Sequence, residues 1–329
     1  MKRLIILGLS LFILLVAPAI FSADDLVALR TLAEKGDADA QCNLGVAYSH
    51  GNGVVKDPVE AVAWWRKAAE QGNDSAQHNL GLAYHDGAGV DKDPVEAAKW
   101  FRKAAEQGNA GSQVNLGLAY ACGEGVPNDA VEAIKWYRKS AEQGNPIAQF
   151  DLGLKYANGE GVDKDPVEAA RWYKKSAEQG HVGAQLNLGF AYARGEGVLK
   201  DPVEAAKCWR KAAEKGDPSA QFGLGMAYAD GEGVDKDLAE AAKWYKKSAE
   251  QGFVGAQFAL GLAYANGEGV LKDEIEALAW LNLGAISGDK DVIENRDKVD
   301  RRLGRKAAKV AMQRSKELLK QIETNKAGR

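Results

Sequence analysis

Four histidines, three cysteines and a series of Asp/Glu pairs are the side chains of this sequence with a chemical range suited to acid–base, nucleophilic or metal work. His50, His78, His85 and His181 show neither an H-E-x-x-H run nor a cysteine–histidine spacing, and His78 with His85, seven apart, reads as an incidental pair. Gly-Glu-Gly recurs, but without the G-x-x-x-x-G-K-[ST] that cradles phosphate. The carboxylate pairs, such as Asp93 with Glu96 and Asp165 with Glu168, return at one fixed interval. A pair repeated along the whole chain is structural punctuation, not an acid–base couple. The sequence therefore gives no catalytic residue, no metal ligand and no cofactor.

The interval itself is the informative feature. Gln41, Gln77, Gln113, Gln149, Gln185, Gln221 and Gln257 each stand 36 residues after the one before. From each Gln, apolar or small residues recur at helical spacing, as Leu80, Gly81 and Tyr84 do. This helix, helix A, stops at a glycine pair such as Gly87 and Gly89. A second helix, helix B, opens on Asp93-Pro94-Val95-Glu96. Asp suits the cap, Pro the first helical position, and Glu three residues on can bond back to the cap amide. Helix B carries Trp100 and Ala105 inward and ends at Gly108.

A hairpin of 36 residues cannot bury both its faces alone, so like hairpins must stack, each completing the core of the next. The expected fold is all-α: a right-handed α-solenoid of seven antiparallel helix-turn-helix repeats of 36 residues with terminal capping helices. Tyr48, Tyr84, Tyr120, Tyr156, Tyr192, Tyr228 and Tyr264 share one repeat position. Every tryptophan occupies one of two adjacent positions: Trp64, Trp100, Trp136, Trp172, Trp244 and Trp280 the first, Trp65 and Trp209 the second. Such regular aromatics are core. Cys208 stands where the first-position tryptophan belongs, which leaves the fifth hairpin locally weak unless Trp209 turns in to compensate.

The pattern A-x-Q-x-x-L-G-x-x-Y-x-x-G-x-G-V, followed by D-x-x-E-A, W, A and G, resembles the Sel-one-like repeat, a relative of the tetratricopeptide repeat. It covers residues 37–288, with Ser112 in place of the alanine before Gln and Cys208 in place of Trp as the exceptions. The resemblance implies a curved superhelix used as a binding scaffold and no shared active site. The paired cysteines of the family's cysteine-rich branch, which has been linked with β-lactam binding, are absent.

Ahead of the repeats, Met1-Lys2-Arg3 is a basic head on an apolar run from Leu4 to Val16, followed by Ala17-Pro18-Ala19 and Ser22-Ala23. This is the layout of a secretory signal over residues 1–22, cleaved after Ser22 or Ala23, with Ala19 an alternative. An uncleaved anchor is the rival, but the apolar core is shorter than the roughly 20 residues that span a bilayer. Residues 23–36 then read as an N-terminal capping helix bearing Leu26, Leu29, Leu32 and Ala33, and residues 289–329 as basic C-terminal capping helices.

The composition, 46% hydrophobic and 27% charged, is that of a globular chain. Residues 289–329 hold 13 Lys or Arg against 7 Asp or Glu, a net +6, while residues 1–22 hold Lys2 and Arg3 and no acid. The formal −3 of the whole chain thus leaves −11 on residues 23–288, which argues against a nucleic-acid partner. In the basic tail Val310, Ala311, Leu318, Leu319 and Ile322 form an apolar stripe: a cap with a solvated outer face, or a contact for an acidic envelope polymer or membrane surface. The Arg-Lys pairs of helix B, such as Arg66-Lys67 and Arg102-Lys103, read as another solvated face. Cys42, Cys122 and Cys208 fall in alternate repeats, too far apart for intrachain bridges; Cys122, late on helix A, is the one placed to link two chains.

With Gln, Leu, Gly and Tyr packed inward, the second, sixth and ninth residues after each Gln form the exposed stripe of helix A. By resemblance to tetratricopeptide arrays this stripe lines the concave groove. The candidate partner-binding residues are Asn79, Asp86, Asn115, Cys122, Asp151, Lys155, Asn158, Asn187, Arg194, Asp230 and Asn266, with Ala83 and Ala191 leaving room for a partner backbone. Asp151 and Lys155, four apart, form either a surface ion pair or a specificity feature. The resulting expectation is an exported scaffold that takes a protein or peptide partner. A cell-envelope hydrolase and an envelope-polymer or anionic-surface binder are the alternatives.

Overall fold

The computed structural model describes residues 23–327, so the signal reading over 1–22 lies outside the described residues. All regular elements among the described residues are helical. Helix α1 spans Ala23–Glu34, and the hairpins follow as α2 (Ala38–His50) with α3 (Pro58–Glu70), α4 (Asp74–Asp86) with α5 (Pro94–Glu106), and α6 (Ala110–Cys122) with α7 (Ala130–Glu142). Then come α8 (Pro146–Asn158) with α9 (Pro166–Glu178), α10 (Val182–Arg194) with α11 (Pro202–Glu214), α12 (Pro218–Asp230) with α13 (Leu238–Ala249), and α14 (Val254–Asn266) with α15 (Glu274–Gly284). A 3-10 turn at Ala285–Ser287 leads to α16 (Lys290–Arg302) and α17 (Arg305–Ala327). The chain divides into two compact units, one ending at Ala148 and the other beginning at Gln149.

Helix ends follow from sequence chemistry. Asn73 caps α4 by accepting from the Ala76 amide at 2.8 Å. Gly87 ends it in the left-handed region, φ 76°, with its amide on the Ala83 carbonyl. Gly89 is required for a different reason: a Cβ there would sit 2.1 Å from the Pro58 carbonyl oxygen of the preceding hairpin. Asp93 then accepts from the Val95 and Glu96 amides at 3.0 and 3.1 Å. The reciprocal bond from Glu96 is not made. The Asp93 amide instead donates to the Tyr84 carbonyl at 2.9 Å, which closes the hairpin turn, and Glu96 pairs with Lys99 at 2.5 Å.

In the first unit the deepest aromatic is the second of the two adjacent positions. Trp65, Phe101 and Tyr137 are buried against Gly45, Gly81 and Gly117; a Cβ on Gly81 would lie 2.6 Å from the Phe101 ring. Glycine in mid-helix costs about 1 kcal/mol in propensity, offset here by letting the ring reach the backbone. Trp100 is only half-buried, and Lys103 lies over its ring at 3.9 Å. The basic pairs of helix B are therefore not merely solvated. The arginine reaches the next hairpin, as Arg66 and Arg102 donate to the Tyr84 and Tyr120 hydroxyls, while the lysine covers the tryptophan.

The second unit repeats the scheme with Tyr173, Trp209, Tyr245 and Leu281 against Gly153, Gly189, Gly225 and Gly261. Trp209 fills its own position and not that of Cys208. Its larger ring also lies against Gly223, where five repeats carry Asn or Asp and the seventh carries Ala259; a Cβ at 223 would stand 3.2 Å from the ring. Cys208 is half-buried beside the Tyr173 and Leu188 cluster. At the C-terminal end Leu318 and Ile322 of α17 pack with Trp280, Tyr245 and Ala249, and Ala311 packs with Leu278 and Val299. Val310 and Leu319, placed on the same apolar stripe by sequence, face outward. At the other end Ala33 packs with Leu44, with Leu26 and Leu29 alongside, whereas Leu32 is exposed.

The glutamine that marks the repeat is buried and joins three helices. Gln77 donates Nε2 to the Ala69 carbonyl of α3 at 3.1 Å and accepts from Gln107, at the end of α5, at 2.8 Å. Gln41, Gln113 and Gln221 make the same two bonds, with Gln71, Gln143 and Gln251 as their donors. The fifth repeat departs: Lys215 takes the donor position and turns to the Gly180 carbonyl at 2.6 Å, leaving the buried Gln185 Oε1 with no protein donor. Lys215→Gln should restore the missing bond and raise stability by about 1 kcal/mol. Equilibrium denaturation read by circular dichroism checks it, and an unchanged midpoint would mean that Gln185 Oε1 is satisfied some other way.

Candidate functional site

The candidate stripe of helix A resolves into three rows of different character. The ninth residues after Gln, Asp86, Cys122, Asn158, Arg194, Asp230 and Asn266, are all exposed. The second residues, Asn79, Asn115, Asp151 and Asn187, are half-buried. The sixth are not exposed as expected: Ala83, Ala191 and Ala227 are 3%, 7% and 4% accessible. They turn onto helix B of the preceding hairpin, Ala83 into the cluster of Ala61, Val62 and Trp65, and Ala227 into that of Ala206. The surface open to a partner is narrower than the helical wheel gives.

Lys155 occupies a sixth position and is half-buried, and its ammonium reaches Glu160 at 2.6 Å. Asn158 donates to the same carboxylate at 3.0 Å. The Asp151–Lys155 ion pair is thus replaced by one to Glu160. Burial pushes the Asp151 carboxyl up to about 7, against the weaker pull of Lys155. Lys155 in turn holds Glu160 below the usual carboxylate range. Arg194 extends over the Phe190 ring at 5.3 Å and comes within 3.8 Å of Glu196.

One constellation escaped local spacing. His78 Nδ1 and Ser112 Oγ lie 2.8 Å apart, the separation of a base and a hydroxyl nucleophile. Ser112 is fully buried, however, so no substrate carbonyl can reach its oxygen, and Asp74 is engaged by Asn109 at 2.9 Å. Burial drives the His78 pKa down to about 4, leaving a neutral ring whose nitrogen is satisfied by the serine hydroxyl. This accounts for serine in place of alanine at 112. His85 lies apart from His78 and pairs with Asp86 at 2.7 Å; no group fit to hold a metal occurs among the described residues. Cys42 is buried and Cys208 half-buried, each with its thiol pushed up to about 11, and Cys122 is exposed.

The Sel1 repeat matches seven times in tandem, over 38–73, 74–109, 110–145, 146–181, 182–217, 218–253 and 254–289. The chain belongs to the Sel1 repeat family. Among solved structures this Sel1 protein is similar to a Sel1 repeat protein from Oxalobacter formigenes, at 37% identity and TM-score 0.65, over 84% of this chain and 80% of that one. It is also similar to c5321, a protective antigen of uropathogenic Escherichia coli strains with an SLR fold, at 34% identity and TM-score 0.44, over 91% of this chain and 79% of that one. No curated protein matches it. Sel1 solenoids serve generally as scaffolds for protein–protein interaction and are typically not enzymes.

Within this Sel1 array the acid at 151 carries a sign that can be measured. Its folded pKa of about 7 stands above the ordinary aspartate value of 3.8, so the fold favours the neutral carboxyl. The stability this contributes is complete below about 3.8 and is lost as pH rises to about 7. Asp151→Asn, which matches the neighbouring repeats, should therefore stabilise little in acid and by about 1–2 kcal/mol above neutrality, a figure discounted for residual solvent access. Thermal melts across that pH range check it. A gain independent of pH would contradict the burial of the charge.

Proposed function

We propose that this Sel1 protein is an exported scaffold that takes an extended segment of a protein partner along the exposed row of helix A. One observation carries the reading. The frame positions repeat in kind, while the ninth-residue row is exposed in each repeat and changes chemistry from one to the next. In the second unit it runs Asn158, Arg194, Asp230, Asn266, an amide, a cation, an anion and an amide. Neighbouring helices stand about 8–10 Å apart, so a partner chain laid across the row meets a different polar group every few residues. The half-buried Asn187 and Asp151 behind the row can bond the partner's backbone. A surface whose only task is solubility needs no such sequence of groups. Export rests on the basic head, apolar run and small residues of 1–22.

The test is site-specific photo-crosslinking in the cell envelope, with the probe at Asp230 or Asn266 and, as control, at the exposed Lys174 of helix B. The reading predicts one discrete adduct from the helix-A positions, lost on Arg194→Glu with unchanged helical content. Equal crosslinking from Lys174 would move the site off helix A. N-terminal sequencing of the same preparation should begin after Ala19, Ser22 or Ala23; a retained Met1 would remove the cleaved-signal reading.

A further inference from the structure

The outer face of α17 gathers exposed cations along one side of a single helix. The helix carries seven Lys or Arg against two Glu. The buried residues Ala311, Ser315, Leu318 and Ile322 fix its inner side, and Arg314, near that side, pairs with Glu276 at 2.6 Å. At 100° per residue Arg305, Lys306, Lys309, Lys316 and Lys320 then fall in an arc of roughly 100° on the opposite side, over a length of about 22 Å. All five are exposed. None makes an ion pair or a side-chain hydrogen bond among the described residues. By contrast Lys99, Lys207 and Lys243, at one position of helix B, each pair with a glutamate three residues earlier, at 2.5, 2.6 and 2.8 Å. The acid at the edge of the arc is Glu323, while Glu317 is turned to Gln313 and Arg314.

Apolar side chains flank the cations. Met312 and Leu319 stand on one shoulder and Val310 on the other, 51%, 38% and 54% accessible. A cap that only seals the last hairpin needs a polar outer face, but one of mixed charge would serve. Cations of one sign with exposed apolar shoulders match a surface that is anionic at its face and apolar just beneath. A soluble polyanion would reward the lysines and leave Met312 and Leu319 in water.

We propose that the outer face of α17 is a docking surface for an anionic lipid bilayer, lying flat in the headgroup region with Met312 and Leu319 directed toward the acyl boundary. The site is independent of the helix-A row. Each cation near such a surface adds about fivefold in affinity, so five give reversible, salt-sensitive binding and no anchoring.

The chain lacking residues 1–22 should co-sediment with phosphatidylglycerol-containing vesicles at low salt, stay in solution with phosphatidylcholine vesicles, and be released by high salt. Lys309→Glu with Lys316→Glu and Lys320→Glu should weaken binding at least about tenfold, with an unchanged circular dichroism melt. Met312→Ser with Leu319→Ser should weaken it at low and high salt alike. Failure to sediment with the anionic vesicles would overturn the proposal. So would binding unchanged by the charge reversals, or retention on immobilised polyphosphate without vesicle binding, which would make the face a polymer site.

Discussion

The constraint on which the rest of the structure depends is the buried glutamine amide. Burying an unpaired amide costs more than a typical hydrogen bond returns, so a buried Gln is favourable where both partners are in place, as at Gln77, and costly where one is missing, as at Gln185. In Gln77 the donor is held by a carbonyl of the preceding hairpin and the acceptor by the capping glutamine of its own. The amide thereby sets the distance between consecutive hairpins as well as the angle within one. The aromatic on glycine, Phe101 on Gly81, then fills the space so defined, and Arg66 on the Tyr84 hydroxyl braces its outer edge.

A frame held by recurring internal contacts frees the remaining positions. The ninth residue of helix A touches none of the three joints and accordingly varies, from Asp86 to Arg194 to Asn266, without cost to packing. The second residue is less free. Asn79, Asn115 and Asn187 are half-buried, and the one acid among these, Asp151, has its carboxyl driven toward the neutral form. Freedom to vary and stability therefore separate within a single helix, with the division set by how deeply each row is covered.

Most of the fold was legible in the sequence because a solenoid writes its contacts at a constant interval: the Gln, Gly and Asp positions gave helix ends and repeat length directly. Contacts between different repeats were less legible. The pairing of His78 with Ser112 spans two repeats and has no local spacing. The capping box misled because Asp93 to Glu96 satisfies the pattern, yet the Tyr84 carbonyl, brought back by the turn, takes the amide first. The inward turn of Ala83 was hidden because a helical wheel knows one helix, whereas burial at the sixth position is decided by helix B of the hairpin before. Lys215 is a similar case: the substitution is plain in sequence, but its consequence falls on Gln185, thirty residues earlier.

If the buried glutamine is the joint between hairpins, removing one should loosen its own neighbours and little else. Hydrogen exchange on Gln77→Leu measures this most directly. Amides around 68–77 and 104–109 should exchange roughly ten- to hundredfold faster, while those of α14 and α15 keep their protection. Unchanged exchange at those two segments, or a uniform loss along the whole chain, would contradict the account.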